Sequence, residues 1–386
     1  MTATPSANWS FPTAIRFGVG RIAELPAACR TLGMTRPLFV TDAGLAELDI
    51  TADTIALCRA DGLEVTLFSN VQPNPVEANV NAGVAALRAG DHDGVIAFGG
   101  GSALDTGKLI AFMAQQMRPI WDFEDVGDWW TRANSDGIVP IIAVPTTAGT
   151  GSEVGRAGVA TNVETRTKKV IFHPKMLPAI VIADPQLTLG MPRFITAGTG
   201  MDALAHCLEA YCSPSYHPMA EGIAAEGVRL AIDNLPKVFE ESSDLTARGN
   251  MMSAAAMGAV AFQKGLGAIH SLSHPVGSLY NTHHGMTNAV FMPYVLDFNN
   301  AAIDAKINRL AAYVGIPDGF AGFYQRILDL REQCEVPHKL GDFVEVNLAD
   351  RDLIAEMAVV DPTASGNPVP LTFEGAKSIF DAALVG

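Results

Sequence analysis

Six of the nine histidines fall between positions 206 and 284, in a stretch otherwise poor in polar side chains. Asp202 and His206 stand four apart in a segment of helical composition, so one turn of helix brings both to one face. His270 and His274 repeat the interval, and His283-His284-Gly285 follows. A carboxylate with three imidazoles is a nitrogen–oxygen donor set suited to a borderline divalent ion such as Fe²⁺ or Zn²⁺. One His in an apolar helix is ordinarily a hydrogen-bonded core side chain. Two spaced pairs and a third His segment favour a metal centre instead.

Glycine loops point to a second ligand. Gly18-Val-Gly20-Arg-Ile-Ala23 and Gly198-Thr-Gly200-Met-Asp-Ala203 both fit G-x-G-x-x-[GA]. Neither follows an apolar strand or precedes a strand-ending carboxylate about 20 residues on, so each reads as a turn or helix start. Gly107-Lys108 is followed by Leu109 and misses the P-loop pattern. Gly99, Gly100, Gly101 and Ser102 differ, because an apolar run ends directly in them and a helical segment follows. Backbone N–H groups there can approach a pyrophosphate at the positive end of the helix. Asp42 ends an earlier apolar run, where a carboxylate can accept the hydroxyls of an adenine ribose. The loop Pro145-Thr-Thr-Ala-Gly-Thr-Gly-Ser152 follows another such run and adds hydroxyl and amide donors. Together these strand ends read as a nucleotide site.

The elements that must hold these groups change character along the chain. From Arg36 to about Asp184, short β-rich runs (37–41, 63–68, 94–98 and 138–144) alternate with helical segments such as 103–116. That alternation implies βαβ units and a parallel sheet covered on both faces. After Pro185, helical segments dominate, at roughly 198–212, 218–234, 246–262, 301–314 and 320–334. With 386 residues, the chain exceeds what a single core of about 250–300 residues usually holds. The expected division is an α/β domain over 1–185 and a helical domain over 186–386. The Pro-rich stretch 361–370 reads as a loop.

Composition narrows the partners. A net charge of −15 without a basic run disfavours nucleic acid and anionic lipid. The opening Met-Thr-Ala-Thr-Pro lacks the charged and apolar regions of an export signal. Met251 to Phe262 is too short to span a bilayer, which needs about 20 residues. Five cysteines form neither a CxxC pair nor an even framework. A cytoplasmic protein is expected, with no membrane contact.

Four segments, in order and suitably spaced, resemble the iron-containing (group III) alcohol dehydrogenase family. They are Phe98-Gly-Gly-Gly-Ser-Ala-Leu-Asp-Thr-Gly-Lys108, Pro145 to Glu153, Gly198 to His206, and His270-Ser-Leu-Ser-His-Pro275 continuing to Gly285. The resemblance implies a dinucleotide-binding α/β domain, a helical domain, and a cleft between them. It implies metal ligands at Asp202, His206, His270 and His284, the last because the family ligand directly precedes the Gly. It places His274 near the nicotinamide as a catalytic, non-ligand histidine. It assigns Asp42, Gly99, Gly100, Gly101, Ser102, Thr146, Thr147 and Lys169 to the cofactor. An acid at Asp42 suits the free 2′-hydroxyl of NAD and repels the phosphate of NADP. A homodimer or larger homo-oligomer is also implied.

The implied reaction is hydride transfer between NAD(H) and a small primary alcohol or aldehyde, with the metal as Lewis acid. His274 is the expected proton carrier. A dehydroquinate synthase-like cyclase shares the fold but needs several Lys and Arg at its substrate, and residues 202–290 hold few. A non-enzymatic scaffold, or a metal-free reductase of the same family, would have lost ligands that this chain keeps. Two positions depart from the family pattern. His283 stands where Pro is usual and adds an imidazole near the metal. Gln263-Lys264 stands where Asn and a small apolar residue are usual. Lys264 either pairs with a nearby acid as a structural residue or faces the site and receives an anionic hydroxy acid or semialdehyde.

Overall fold

The computed structural model describes Phe11 and residues 13–386, so the expectation drawn from the first five residues lies outside the described part. Its packing divides into two units. One comprises residues 13–147 and Gly151–Gly190, and the other gathers Phe11 and Ala148–Thr150 with Met191–Gly386.

The first unit is built on strands β1 (Ala14–Phe17), β2 (Pro37–Val40), β3 (Thr66–Phe68), β4 (Gly94–Gly99), β5 (Ile141–Pro145) and, later in the chain, β8 (Ile180–Ala183). They form one parallel sheet in the order β1-β8-β5-β4-β2-β3. Every residue of β2, β4, β5 and β8 is buried, as expected where helices cover both faces. Helices α1 (Leu25–Thr31), α2 (Ala43–Ala46), α3 (Asp49–Ala60), α4 (Glu77–Ala89) and α5 (Gly101–Met113) make the crossovers. On one face Phe39 of β2 and Phe98 of β4 meet at 5.0 Å in the core.

Three features escape the sequence pattern. β1 is an edge strand with three of its four residues exposed, so it shows no apolar run. An antiparallel hairpin, β6 (Ala157–Asn162) and β7 (Thr167–Phe172), is half-buried and carries Lys168 and Lys169. The expected strand at 63–68 pairs only from Thr66, because Leu63 turns back into the core.

The second unit holds α6 (Arg193–Cys212), α7 (Pro218–Glu240), α8 (Leu245–Ala261), α9 (Ala268–Tyr280), α10 (His284–Tyr313), α11 (Gly319–Gln333), α12 (Arg351–Val360) and α13 (Phe373–Val385). All residues of α6 from Thr196 to Cys212 are buried, so it is a central helix without a polar face. α10 starts seventeen residues before the expected 301, because His283 caps it and Pro293 is accommodated within it. Residues 361–370 are loop apart from one short 3₁₀ turn at Pro362–Gly366. Among the described residues no helix is long and apolar enough to cross a membrane.

Candidate metal and cofactor sites

The turn between α9 and α10 brings the histidines together. Asn281 ends α9 in the left-handed conformation (φ 52°), and His283 caps α10 by accepting the Met286 N–H at 3.2 Å. His284 is therefore the first residue of α10, beside His270 and His274 of α9. Close approach to α6 depends on glycine. A Cβ on Gly285 would lie 2.1 Å from the Gly198 carbonyl oxygen, and one on Gly198 would lie 2.6 Å from the His283 ring. The G-x-G of 198–200 is thus a helix-packing device, and the imidazole of His283 is a cap that also meets Phe194 edge-on at 5.4 Å.

Asp202 is the centre of the cluster. Its Oδ1 lies 3.7 Å from His270 Nε2, 3.7 Å from His284 Nε2 and 3.8 Å from His206 Nε2. Donor atoms of Asp202, His270 and His284 lie within 4.8 Å of one another. His206 stands outside that mutual set but stacks on the His270 ring at 4.7 Å. Bonds of about 2.0–2.2 Å to a tetrahedral ion would hold its ligand atoms roughly 3.4 Å apart. One carboxylate and three imidazoles near this spacing fit a divalent cation.

Burial raises the carboxyl of Asp202, but His206, His284 and His270 outweigh it and hold the group far below the usual carboxylate range. Burial pulls His206 down to about 4. Burial also opposes charge on His270, yet Glu209 and Asp202 override it and lift the ring to about 9.

Three supporting residues were not read from the sequence. Glu209 accepts from His270 Nδ1 at 2.6 Å and from the Ile269 N–H at 2.7 Å, leaving Nε2 of His270 turned to Asp202. It lies seven residues after Asp202 on the same helix, so the 3.6-residue period could have found it. Asn288, one turn after His284, donates to Asp202 Oδ1 at 2.8 Å and lies 3.2 Å from both His270 Nε2 and His284 Nε2. Asp361 accepts from His274 Nδ1 at 2.8 Å and is itself bound by the Thr363 N–H at 2.9 Å. No local signal links positions 274 and 361.

Lys264 does not face this cluster, which corrects the idea that it receives a substrate anion. Its side chain is fully buried, and Nζ donates to the carbonyls of Ala210, Tyr211 and Ser213 at 2.7–2.9 Å. It also pairs with Glu221 at 3.2 Å. These carbonyls end α6, where a cation is favoured. Gln263 donates to the Val260 carbonyl, again as a local contact.

In the α/β unit, Asp42, the Gly99–Ser102 turn and Thr146-Thr147 stand at the carboxyl ends of the neighbouring strands β2, β4 and β5. Gly99 has φ 143°, and a Cβ there would meet Ala103 Cβ at 2.8 Å and Asp42 Oδ2 at 3.7 Å. The Thr146 N–H donates to the Gly99 carbonyl at 3.0 Å, and Thr147 abuts Gly100. α5 starts at Gly101 without a side-chain cap, leaving its first N–H groups for a ligand. Asp42 Oδ1 caps α2 through the Leu45 N–H at 2.9 Å. Lys169 lies apart on β7, paired with Glu124 at 2.8 Å. Lys108 is a buried knot, bonded to Asp105 and to the Ser152 and Ala157 carbonyls.

Residues 12–185 match the family model for iron-containing alcohol dehydrogenase, and residues 196–384 match the C-terminal model of the same family. The chain is 38% identical to the 4-hydroxybutyrate dehydrogenase of Cupriavidus necator, over 92% of this chain and 94% of that one. It is 36% identical to the 1,3-propanediol dehydrogenase of Klebsiella pneumoniae, over 94% of each. A crystal structure of 1,3-propanediol oxidoreductase superposes with a TM-score of 0.92 at 34% identity, covering 98% of this chain and 99% of that one.

Proposed function

The chain belongs to the iron-containing alcohol dehydrogenase family and is a metal-dependent alcohol and aldehyde oxidoreductase; on that premise we propose which of its residues do the work. Asp202, His206, His270 and His284 hold a divalent ion, iron in preference to zinc. Asp42, Gly99, Gly100, Gly101, Ser102, Thr146, Thr147 and Lys169 hold NAD(H), the hydride carrier. The observation that carries the reading is the convergence of three Nε2 atoms on one carboxylate oxygen, at 3.7–3.8 Å.

When bound, the ion supplies Lewis acidity toward a substrate oxygen. The chain's own residues prepare for it. Glu209 fixes the tautomer of His270, and Asn288 holds the Asp202 carboxylate in place. Asp361 accepts a hydrogen bond from His274 Nδ1–H and so keeps the ring proton there, leaving Nε2 as the atom to accept or return the substrate proton. The Asp42 carboxylate disfavours a 2′-phosphate. The two domains, 1–185 and 186–386, divide the labour between cofactor and metal. Exposed Ile15 and Phe17 on the edge strand β1 support a homodimer or larger homo-oligomer. Five buried cysteines that form no disulfide suit the cytoplasm.

The test is NADH formation from a series of small primary alcohols by protein reconstituted anaerobically with Fe²⁺ or with Zn²⁺. Activity should require the metal and be higher with iron. Asp42→Gly should raise NADP⁺ use relative to NAD⁺ by about 1–3 kcal/mol of discrimination. Full activity after chelation, or a wild type that prefers NADP⁺, contradicts the assignment.

A further inference from the structure

We infer that the main-chain carbonyl of Gly149 is the outer partner of His206, and that through it NAD(H) and the metal bind cooperatively. The inference rests on the ligand and cofactor assignments above. Metal-bound imidazoles ordinarily donate their second N–H to a carboxylate, a carbonyl or water. His270 has Glu209 at 2.6 Å, and His284 Nδ1 lies 3.5 Å from Ser273 Oγ. His206 is 5% exposed, and among the described residues its Nδ1 closes no hydrogen bond. A buried N–H in that condition is costly, which favours any state that supplies an acceptor.

The acceptor at hand is on Ala148–Thr150, three residues that pack with the helical unit rather than with β5 before them and β6 after them. A Cβ on Gly149 would lie 2.7 Å from Thr199 Cβ and 2.8 Å from the Thr199 carbonyl oxygen, so this main chain rests directly on α6. His206 follows Thr199 by seven residues, two turns along the same face, and helical side chains lean back toward the N-terminus. The ring is thereby brought toward Gly149. Burial lowers the basicity of that ring, and the Gly149 carbonyl is among the groups that restore part of it. The same loop continues directly from the cofactor residues. The Thr146 N–H donates to the Gly99 carbonyl at 3.0 Å, and Thr147 abuts Gly100. NAD(H) held by Thr146 and Thr147 fixes the chain two residues before Gly149 and presents its carbonyl to His206. The bond keeps the ring proton on Nδ1 and leaves Nε2 to the metal. By linkage, a metal held at His206 tightens NAD(H) by the same factor.

The experiment titrates Zn²⁺ against a competing chelator with and without saturating NAD⁺, and titrates NAD⁺ with and without Zn²⁺. In wild type each ligand should tighten the other about tenfold, a coupling of ordinary size between two sites. Gly149→Ala drives the loop off α6. It should weaken Zn²⁺ binding about 10- to 100-fold and abolish the coupling. The metal-free variant should keep most of its NAD⁺ affinity, because the Gly99–Ser102 turn is untouched. Zinc affinity that ignores NAD⁺ in wild type, or coupling that survives Gly149→Ala, overturns the proposal. A wild type that binds no stoichiometric Zn²⁺ overturns it too, but by removing the ligand assignment beneath it. If Gly149→Ala fails to fold, a crystal of the wild type with Zn²⁺ and NAD⁺ decides. His206 Nδ1 within about 3.2 Å of the Gly149 oxygen supports the proposal, and any other acceptor, or none, overturns it.

Discussion

Helix α6 carries two buried polar clusters close together, and they differ in where the positive charge comes from. Around Asp202, one carboxylate oxygen is faced by His206, His270 and His284, with Glu209 and Asn288 behind them. Among the described residues, no lysine or arginine enters it. Around the end of the same helix, the carbonyls of Ala210, Tyr211 and Ser213 are faced by the amine of Lys264, and Lys306 adds bonds to Tyr211 and Ser213. Glu221 balances both lysines and Arg309. The first cluster has nitrogen and oxygen donors that a metal can use, and it lacks a cation of its own. The second already contains its cations and is complete. Burial and charge density alone would not separate them; the donor types and the presence of an internal cation do.

The largest effect expected from breaking the contrast is at the first cluster. His270→Ala or His284→Ala should abolish stoichiometric metal binding and lower turnover by more than about 100-fold, beyond the loss typical of outer partners. Elemental analysis and NADH formation check this, with circular dichroism showing that the fold persists. Full metal content in either variant would mean that the cluster is a structural one like its neighbour.

Lys264→Ala should do the opposite. It leaves the Ala210 carbonyl without its lysine, while Lys306 still reaches Tyr211 and Ser213 and Lys306 and Arg309 still pair with Glu221, so it should cost about 1–3 kcal/mol of stability, read by denaturant melts. Metal per folded molecule should stay unchanged. So should the ratio of kcat/KM between an anionic and a neutral aldehyde of equal length. A selective loss on the anionic substrate would put Lys264 back at the site.

Smaller changes fall on the outer partners. Glu209→Gln and Asn288→Leu should each weaken metal affinity about 10- to 100-fold while leaving a binding site. Metal titration against a competing chelator measures it, and unchanged affinity in both would confine the site to its four candidate ligands.

The smallest signal is a pH slope. Burial, reinforced by Lys306 and opposed by Glu221, lowers Lys264 from 10.5 to about 8. Between those values the unfolded chain binds more protons at this position than the folded one, so stability should rise with pH across that window. The slope is less than one proton and should flatten in Lys264→Met. A slope that survives the substitution belongs to another group.

What the residues alone determined is considerable where the signal is local. The i, i+4 pairs Asp202–His206 and His270–His274, the apolar runs that became β2, β4 and β5, and the Gly99–Ser102 turn are all properties of neighbours in sequence, set by helical and strand periods. The resemblance supplied the rest of the site assignment, including the choice of His284 over His283. Tertiary structure decided what depends on partners far along the chain. Asp361 stands 87 residues from His274. The carbonyls held by Lys264 come from more than 50 residues upstream. Edge strand β1 shows no apolar run because one side has no neighbouring strand. The fate of Lys264 is the clearest case. A lysine in an apolar helical stretch must have its charge met, and sequence can state that requirement; which oxygens meet it depends on how the end of α6 packs against the turn after α8.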